Sequence, residues 1–230
     1  MANEDPPRHT GIWPVIRWPD ADTVLLIDCI GVMRRELMGR ERAHASEMTV
    51  GRRREFAAGR ALARQALALL GESSNPEIPM GSGGEPLWPV NYVGSLSHTS
   101  THVAALVARA TRHTSVGVDL DDGRLLGVAA AGELMTEFEV EAVLAEGWTV
   151  DAEIARNLAF LVKEALYKYQ YPKTRFRELG FQEVRLHRTE AGLRAFTSME
   201  GAHLQAIIAN GVLFHEEIQK LRVCWVLSRS

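Results

Sequence analysis

In Val116-Gly117-Val118-Asp119-Leu120-Asp121 apolar and acidic residues alternate, so a strand here turns Asp119 and Asp121 to one face and Val116, Val118 and Leu120 to the other. Two carboxylates at a strand end suit Mg²⁺, which takes a few oxygen ligands and keeps positions for water and substrate phosphates. A solvated strand end running into the turn Asp121-Asp122-Gly123 is the plainer reading. Further along, Phe160-Leu161-Val162-Lys163-Glu164-Ala165-Leu166-Tyr167-Lys168 sets Glu164 and Lys168 four residues apart, side by side on a helix. A surface salt bridge would use that spacing equally well. Yet the chain has four lysines among its 26 Lys and Arg residues, and Lys163 and Lys168 both fall in this run. A lysine can give up a proton where an arginine in practice cannot.

Arg53, Arg60 and Arg64 share one stripe of a helix by the 3.6-residue period, beside its apolar face, with Arg52 and Arg54 flanking them. Arginine forks match phosphate oxygens, so the stripe is a candidate phosphate clamp; an exposed basic face is the alternative. Gly94-Ser95-Leu96-Ser97-His98-Thr99 ends a strand in small hydroxyl residues around a histidine. His98 with nearby hydroxyls or amides can hold a pyrophosphate. A nucleophilic serine fits less well, because the Gly-x-Ser-x-Gly elbow is missing and His98 would face away from Ser97 on a strand.

The elements that must position these groups follow from periodicity. Val24 to Ile30 reads as a buried strand, and Arg52 to Leu70 as a helix with Phe56, Ala63, Leu67 and Leu70 on one stripe and Gly71 as its stop. Tyr92 to Ser97, His102 to Ala108 and Ser115 to Leu120 read as a meander of strands. Thr136 and Glu139 form a capping-box pattern at the start of a second helix, and a third runs from Asp151 to Tyr171 with Pro172 as its end. Phe181 to His187, Leu193 to Thr197, His203 to Ala209 and Leu221 to Leu227 read as strands, and the first 20 residues as an irregular lead-in. The class is therefore α+β with antiparallel strands. A helix-plus-meander pattern occurs twice, dividing the chain into 1–113 and 114–230.

Bulk properties narrow the function. The 230 residues are 46% hydrophobic, which fits a globular fold, and a net charge of −3 argues against a protein that coats nucleic acid or an anionic membrane. Cys29 and Cys224 lie far apart in apolar stretches, neither a disulfide framework nor a metal-ligand set. The first residues lack a basic start and apolar run, and no window approaches the roughly 18 apolar residues of a membrane span, so a cytoplasmic protein is expected.

Taken in order, Arg-Arg-Glu-Phe-Ala-Ala-Gly-Arg (53–60), Glu-Pro-Leu-Trp-Pro (85–89), Gly-Ser-Leu-Ser-His-Thr (94–99), Val-Gly-Val-Asp-Leu-Asp (116–121) and Lys-Glu-Ala-Leu-Tyr-Lys (163–168) resemble motifs of the surfactin- and enterobactin-type 4'-phosphopantetheinyl transferases. The Trp-Pro loop brings the chain nearest the enterobactin-like subgroup. The resemblance implies a pseudo-twofold monomer of two similar halves, each a helix packed on an antiparallel sheet, with coenzyme A between them. It implies Mg²⁺-dependent transfer of phosphopantetheine from coenzyme A to a serine of an apo acyl or peptidyl carrier protein, with release of 3',5'-ADP. By motif position, Arg60 and Arg53 would bind the 3'-phosphate, Glu85 and Pro86 would lie along the nucleotide, and Ser97, His98 and Thr99 would bind phosphates. Asp119, Asp121 and Glu164 would hold Mg²⁺, Lys163 and Lys168 would face the pyrophosphate, and Glu164, Lys168 and His98 would act in the chemistry. Asp121 stands where the family usually has glutamate, and Gly84 where the subgroup often has a base. A module that binds coenzyme A or a carrier protein without transfer is the alternative. A metal-dependent phosphodiesterase would need more His and Asp ligands.

Overall fold

The computed structural model describes residues 14–31, 36–123, 134–175, 179–218 and 220–229; of the lead-in, residues 1–13 lie outside these. A four-stranded antiparallel sheet has the order β1 (Val15–Asp20), β2 (Thr23–Cys29), β4 (His102–Arg109), β3 (Tyr92–His98). Helix α1 (Gly39–Ser46) leads into α2 (Val50–Leu69), which covers one face of that sheet. Every residue of β2 is buried: Val24 and Leu26 pack under α2, while Leu25 and Ile27 face the other way, as period two requires.

The second sheet has the order β5 (Val116–Asp121), β9 (Leu221–Ser228), β8 (Gly211–Ile218), again antiparallel. Between β5 and β8 the chain forms α3 (Glu137–Glu146), α4 (Ala152–Thr174), the hairpin β6 (Val184–Thr189) with β7 (Gly192–Thr197), and α5 (Ala202–Asn210). Three apolar cores result. One lies between α2 and the first sheet, one joins α3, α4, α5, the hairpin and the outer side of β9, and one is shared by the inner faces of the two sheets.

The expected α+β class with antiparallel strands is what the chain adopts, and Cys29 and Cys224 are both free and buried. Thr136 and Glu139 form the anticipated capping box, with the Thr136 amide donating to Glu139 Oε2 at 3.0 Å. Four readings need correction. Val15–Asp20 is a strand paired with β2, not irregular. His203 to Ala209 is helical within α5, because Leu204, Ile207 and Ile208 sit at helical spacing and bury together; a short apolar run fits either period. Gly211–Ile218 is a strand that the sequence reading passed over. Pro172 does not end α4: in the last turn it forfeits one amide bond, and the helix runs on to Thr174, where Arg175 takes the left-handed cap at φ 56°. Among the described residues, no helix is long and apolar enough to cross a membrane.

Candidate active site

The two sheets meet where edge strand β3 lies beside edge strand β5, and the contact is made by side-chain hydroxyls. Ser95 Oγ accepts from the Val118 amide at 3.1 Å and Ser97 Oγ from the Leu120 amide at 3.2 Å, so the outward amides of β5 are satisfied without a continuous ladder. Ser97 Oγ in turn donates to Asp119 Oδ1 at 2.6 Å. On the other side of β5, a Cβ on Gly117 would lie 2.1 Å from the Ala165 carbonyl oxygen, so only glycine lets this strand lie so close to α4. That approach places Asp119 within reach of Lys168, whose Nζ donates to Asp119 Oδ1 at 2.5 Å.

A cavity of about 260 Å³ opens at this junction. Arg52, Phe56 and Arg60 of α2, Pro86, and Ser97 and His98 of β3 line it, together with Asp119 of β5 and Lys168 of α4. Arg52, Phe56 and Arg60 recur every four residues and so share a helix face. The Arg60 guanidinium lies over the Phe56 ring at 4.1 Å and donates through Nε to the Ile78 carbonyl at 2.6 Å. Burial pushes Arg60 down to about 10, with Arg52 and Arg64 adding to this and Glu41 opposing, which still leaves it charged at neutral pH. Such a desolvated, fixed cation suits an anionic ligand. His98 contacts Arg52 through Nε2 and stands 3.6 Å from Glu55. Burial holds it below the usual imidazole range; Glu55 opposes that, and Arg52 and Lys168 reinforce it.

Glu164 opens into a second pocket of about 190 Å³, with Tyr167, Leu179, Phe181 and Val184. Burial, then the neighbouring Asp119, raises its carboxyl above the usual carboxylate range, while Lys168 works against them. A further pocket of about 190 Å³ lies between Glu85, Pro86 and the end of α4, and shares Gly84, Pro86, Leu96 and Lys168 with the first.

The remaining site candidates have other engagements. Arg53 caps the end of α1, donating to the Ala45 carbonyl at 2.9 Å, and does not line the cavity. Arg64 is buried against Glu41 at 2.7 Å. The Thr99 hydroxyl accepts the amides of Thr101 and His102 and so shapes the β3–β4 turn. Glu85 pairs with Arg175 and accepts the Gly83 amide at 2.9 Å. Lys163 is buried among α3, α4 and β6, 2.6 Å from Glu139, and not beside Asp119. Asp121 is tied across the strands to Arg222 at 3.2 Å, and burial, eased by Arg222, raises its carboxyl. Among the described residues, no group of three or more His, Cys, Asp or Glu side chains is gathered as a metal-holding cluster.

Arg222 is a residue that the sequence reading did not assign to the site, while Arg52 and Ser95 entered that reading only as neighbours of the arginine stripe and of His98. The four-residue spacing of Arg52, Phe56 and Arg60 carried a signal for Arg52. Nothing local marks Arg222, which meets Asp121 across two strands about a hundred residues apart in sequence.

The chain is α+β, and its two sheets meet at a cleft lined by Arg52, Arg60 and His98 on one side and by Asp119 and Lys168 on the other, a lining whose charge suits an anionic ligand. Residues 40–108 match the model of the 4'-phosphopantetheinyl transferase N-terminal domain. The chain is 33% identical to 4'-phosphopantetheinyl transferase PptT of Mycobacterium tuberculosis over 183 residues, 77% of this chain and 75% of that protein. It is 39% identical to 4'-phosphopantetheinyl transferase Npt of Nocardia iowensis over 142 residues, 59% of each chain. With enterobactin synthase component D of Escherichia coli the identity is 29% over 168 residues, 70% of this chain and 77% of the relative. The matches to Npt and to Svp of Streptomyces mobaraensis span 59% and 60% of those relatives. The chain belongs to the 4'-phosphopantetheinyl transferase family.

Proposed function

We propose that this protein transfers the 4'-phosphopantetheine group of coenzyme A to a serine of an acyl or peptidyl carrier protein, with Mg²⁺, releasing 3',5'-ADP. The observation that carries the reading is the meeting of Arg60 and His98 from one half with Asp119 and Lys168 from the other in one cavity. A phosphoanhydride ester needs that pairing of anion-binding cations with a carboxylate beside them. Arg60 would take the 3'-phosphate, Glu85 and Pro86 would border the nucleotide, and His98 would bind the phosphates with Ser97 beside it. The apolar pocket of Tyr167, Leu179, Phe181 and Val184, which shares Glu164, fits the uncharged pantetheine arm.

Asp119 and Glu164 fit a resident Mg²⁺: two neighbouring carboxylates, one raised in part by the other, call for a cation, and Mg²⁺ needs one or two of them beside phosphate and water. Asp121 would act beside them, in contact with Arg222. When bound, the ion neutralises the pyrophosphate. Glu164, whose raised carboxyl makes it a better base, takes the proton of the attacking serine hydroxyl. The serine oxygen forms a bond to the β-phosphorus as the bridging oxygen leaves with 3',5'-ADP, and Lys168 stabilises or protonates that oxygen. Arg53 and Thr99 contribute through the fold.

We place the boundary between halves at 113/114, where the chain passes from the first sheet to the second, and propose a monomer acting on coenzyme A and carrier domains in the cytoplasm. The test is incubation with coenzyme A, Mg²⁺ and a panel of apo carrier proteins, followed by mass spectrometry. A phosphopantetheine mass gain on at least one carrier is expected. Binding of coenzyme A with no gain on any carrier would leave a binding module instead.

A further inference from the structure

The side chain of Lys163 is 1% exposed and that of Glu139 is 0% exposed, with Nζ and Oε1 2.6 Å apart. Each end of this ion pair holds a different element. Lys163, on α4, also donates to the Phe181 carbonyl at 2.7 Å, in the segment entering β6. Glu139, on α3, accepts the Thr136 amide at 3.0 Å and the Leu186 amide of β6 at 3.2 Å. Arg185 stands 3.7 Å from its other oxygen. Helix α3, helix α4 and strand β6 are thus joined at one charged knot, and the residues around it (Lys163, Phe181, Val184) line the pocket that Glu164 shares.

Moving Lys163 to an anionic ligand would leave a fully buried carboxylate with only the more distant Arg185 as a cation, and losing the close partner of a buried pair is strongly destabilising. We infer that Lys163 is a positioning residue: its charge is consumed by Glu139, and through the Phe181 carbonyl it fixes the pocket wall beside Glu164 without touching the phosphates of the ligand. This inference rests on the proposed reading of the pocket as the seat of the pantetheine arm.

The test compares wild type, Lys163→Met, and the double variant Glu139→Gln, Lys163→Met, which removes the buried charge and keeps one acceptor oxygen, so that one of the Thr136 and Leu186 amides retains its partner. Melting temperature, affinity for coenzyme A and affinity for adenosine 3',5'-bisphosphate, which lacks the arm, are measured on each. Lys163→Met alone should melt about 10 °C lower. It should bind coenzyme A at least tenfold more weakly, with adenosine 3',5'-bisphosphate affinity within about threefold of wild type. The double variant should recover part of the melting temperature, and, with the Phe181 carbonyl still without its donor, it should keep the weakened coenzyme A binding while adenosine 3',5'-bisphosphate affinity stays within about threefold of wild type. A double variant no more stable than Lys163→Met, or one that folds stably yet binds both nucleotides at least tenfold more weakly, overturns the inference. The proposed function fails separately, if wild type binds neither nucleotide, and the stability comparison still reports on the knot in that case.

Discussion

Glu164 and Asp121 show at the residue scale how a site stores free energy against stability. The Glu164 carboxyl is raised above its ordinary 4.5, so the folded protein keeps this proton to a higher pH than the unfolded chain does. The protonated form therefore favours folding at low pH, and that contribution is lost as pH climbs through the raised value. Glu164→Gln has no charge to develop. It should cut turnover by a factor of about 100 or more, yet melt no lower than wild type at pH 7 without metal, with its advantage vanishing below about pH 4.5. Thermal melts across pH check the stability half, and carrier modification the other. Asp121 is held by Arg222 at 3.2 Å, so Arg222→Met should release the carboxylate and remove a cation that competes with the metal. Half-maximal Mg²⁺ should fall by roughly fivefold, read from activity and from Mn²⁺ titration; a rise would mean that Arg222 orients Asp121 for the ion.

At the scale of elements, the crossing of β5 over α4 sets the distance between Asp119 and Lys168. A methyl on Gly117 would sit 2.1 Å from the Ala165 carbonyl oxygen and 2.8 Å from the Tyr169 amide nitrogen, both backbone atoms that cannot swing aside. Gly117→Ala should accordingly cost roughly 3 kcal/mol in urea unfolding, in the upper range for overpacking. It should also depress activity in the molecules that remain folded, because the strand must lift and carry Asp119 with it. Full activity at unchanged stability would show that the close approach is not needed. The Ser95 and Ser97 hydroxyls do the complementary work on the open edge of β5, satisfying its amides while leaving room for a cleft rather than a continued sheet.

For the whole molecule, the cleft is formed by residues of α2, β3, β5 and α4, far apart in sequence, so a ligand seated there binds the assembled fold and not the unfolded chain. At a concentration 100 times its dissociation constant, coenzyme A with Mg²⁺ should stabilise by about 2.7 kcal/mol, a rise of roughly 5–10 °C in melting temperature for a chain of this length. If Arg60 holds the 3'-phosphate as proposed, loss of that group removes a charged contact worth about 1.5–3 kcal/mol. Dephospho-coenzyme A should therefore give a visibly smaller rise with wild type, and Arg60→Ala should abolish the difference between the two ligands. An undiminished difference in that variant would move the 3'-phosphate to another cation.

What the sequence determined by itself was local. The alternation that puts Asp119 and Asp121 on one face, the stripe of α2, the capping box at Thr136 and the pairing of Glu164 with Lys168 on α4 all follow from backbone periods of two and 3.6 residues. Their order also resembled one family, to which the chain belongs. Where a period was short or ambiguous, as in Ala202–Asn210, the sequence could not choose, because Leu204, Ile207 and Ile208 serve helix or strand until a core decides which face is buried. The tertiary structure alone decided which charges remain available. Arg53, Arg60 and Arg64 are alike in sequence, yet one caps a helix, one lines the cleft and one is paired with Glu41. Lys163 and Lys168 flank the same turn of helix, yet one is buried against Glu139 and the other lines the cleft beside Asp119. A charge is settled by whichever partner lies nearest in a medium of low dielectric, and those partners, Glu41, Glu139 and Asp119, lie 23 or more residues away in sequence and next to the charge only once the chain has folded.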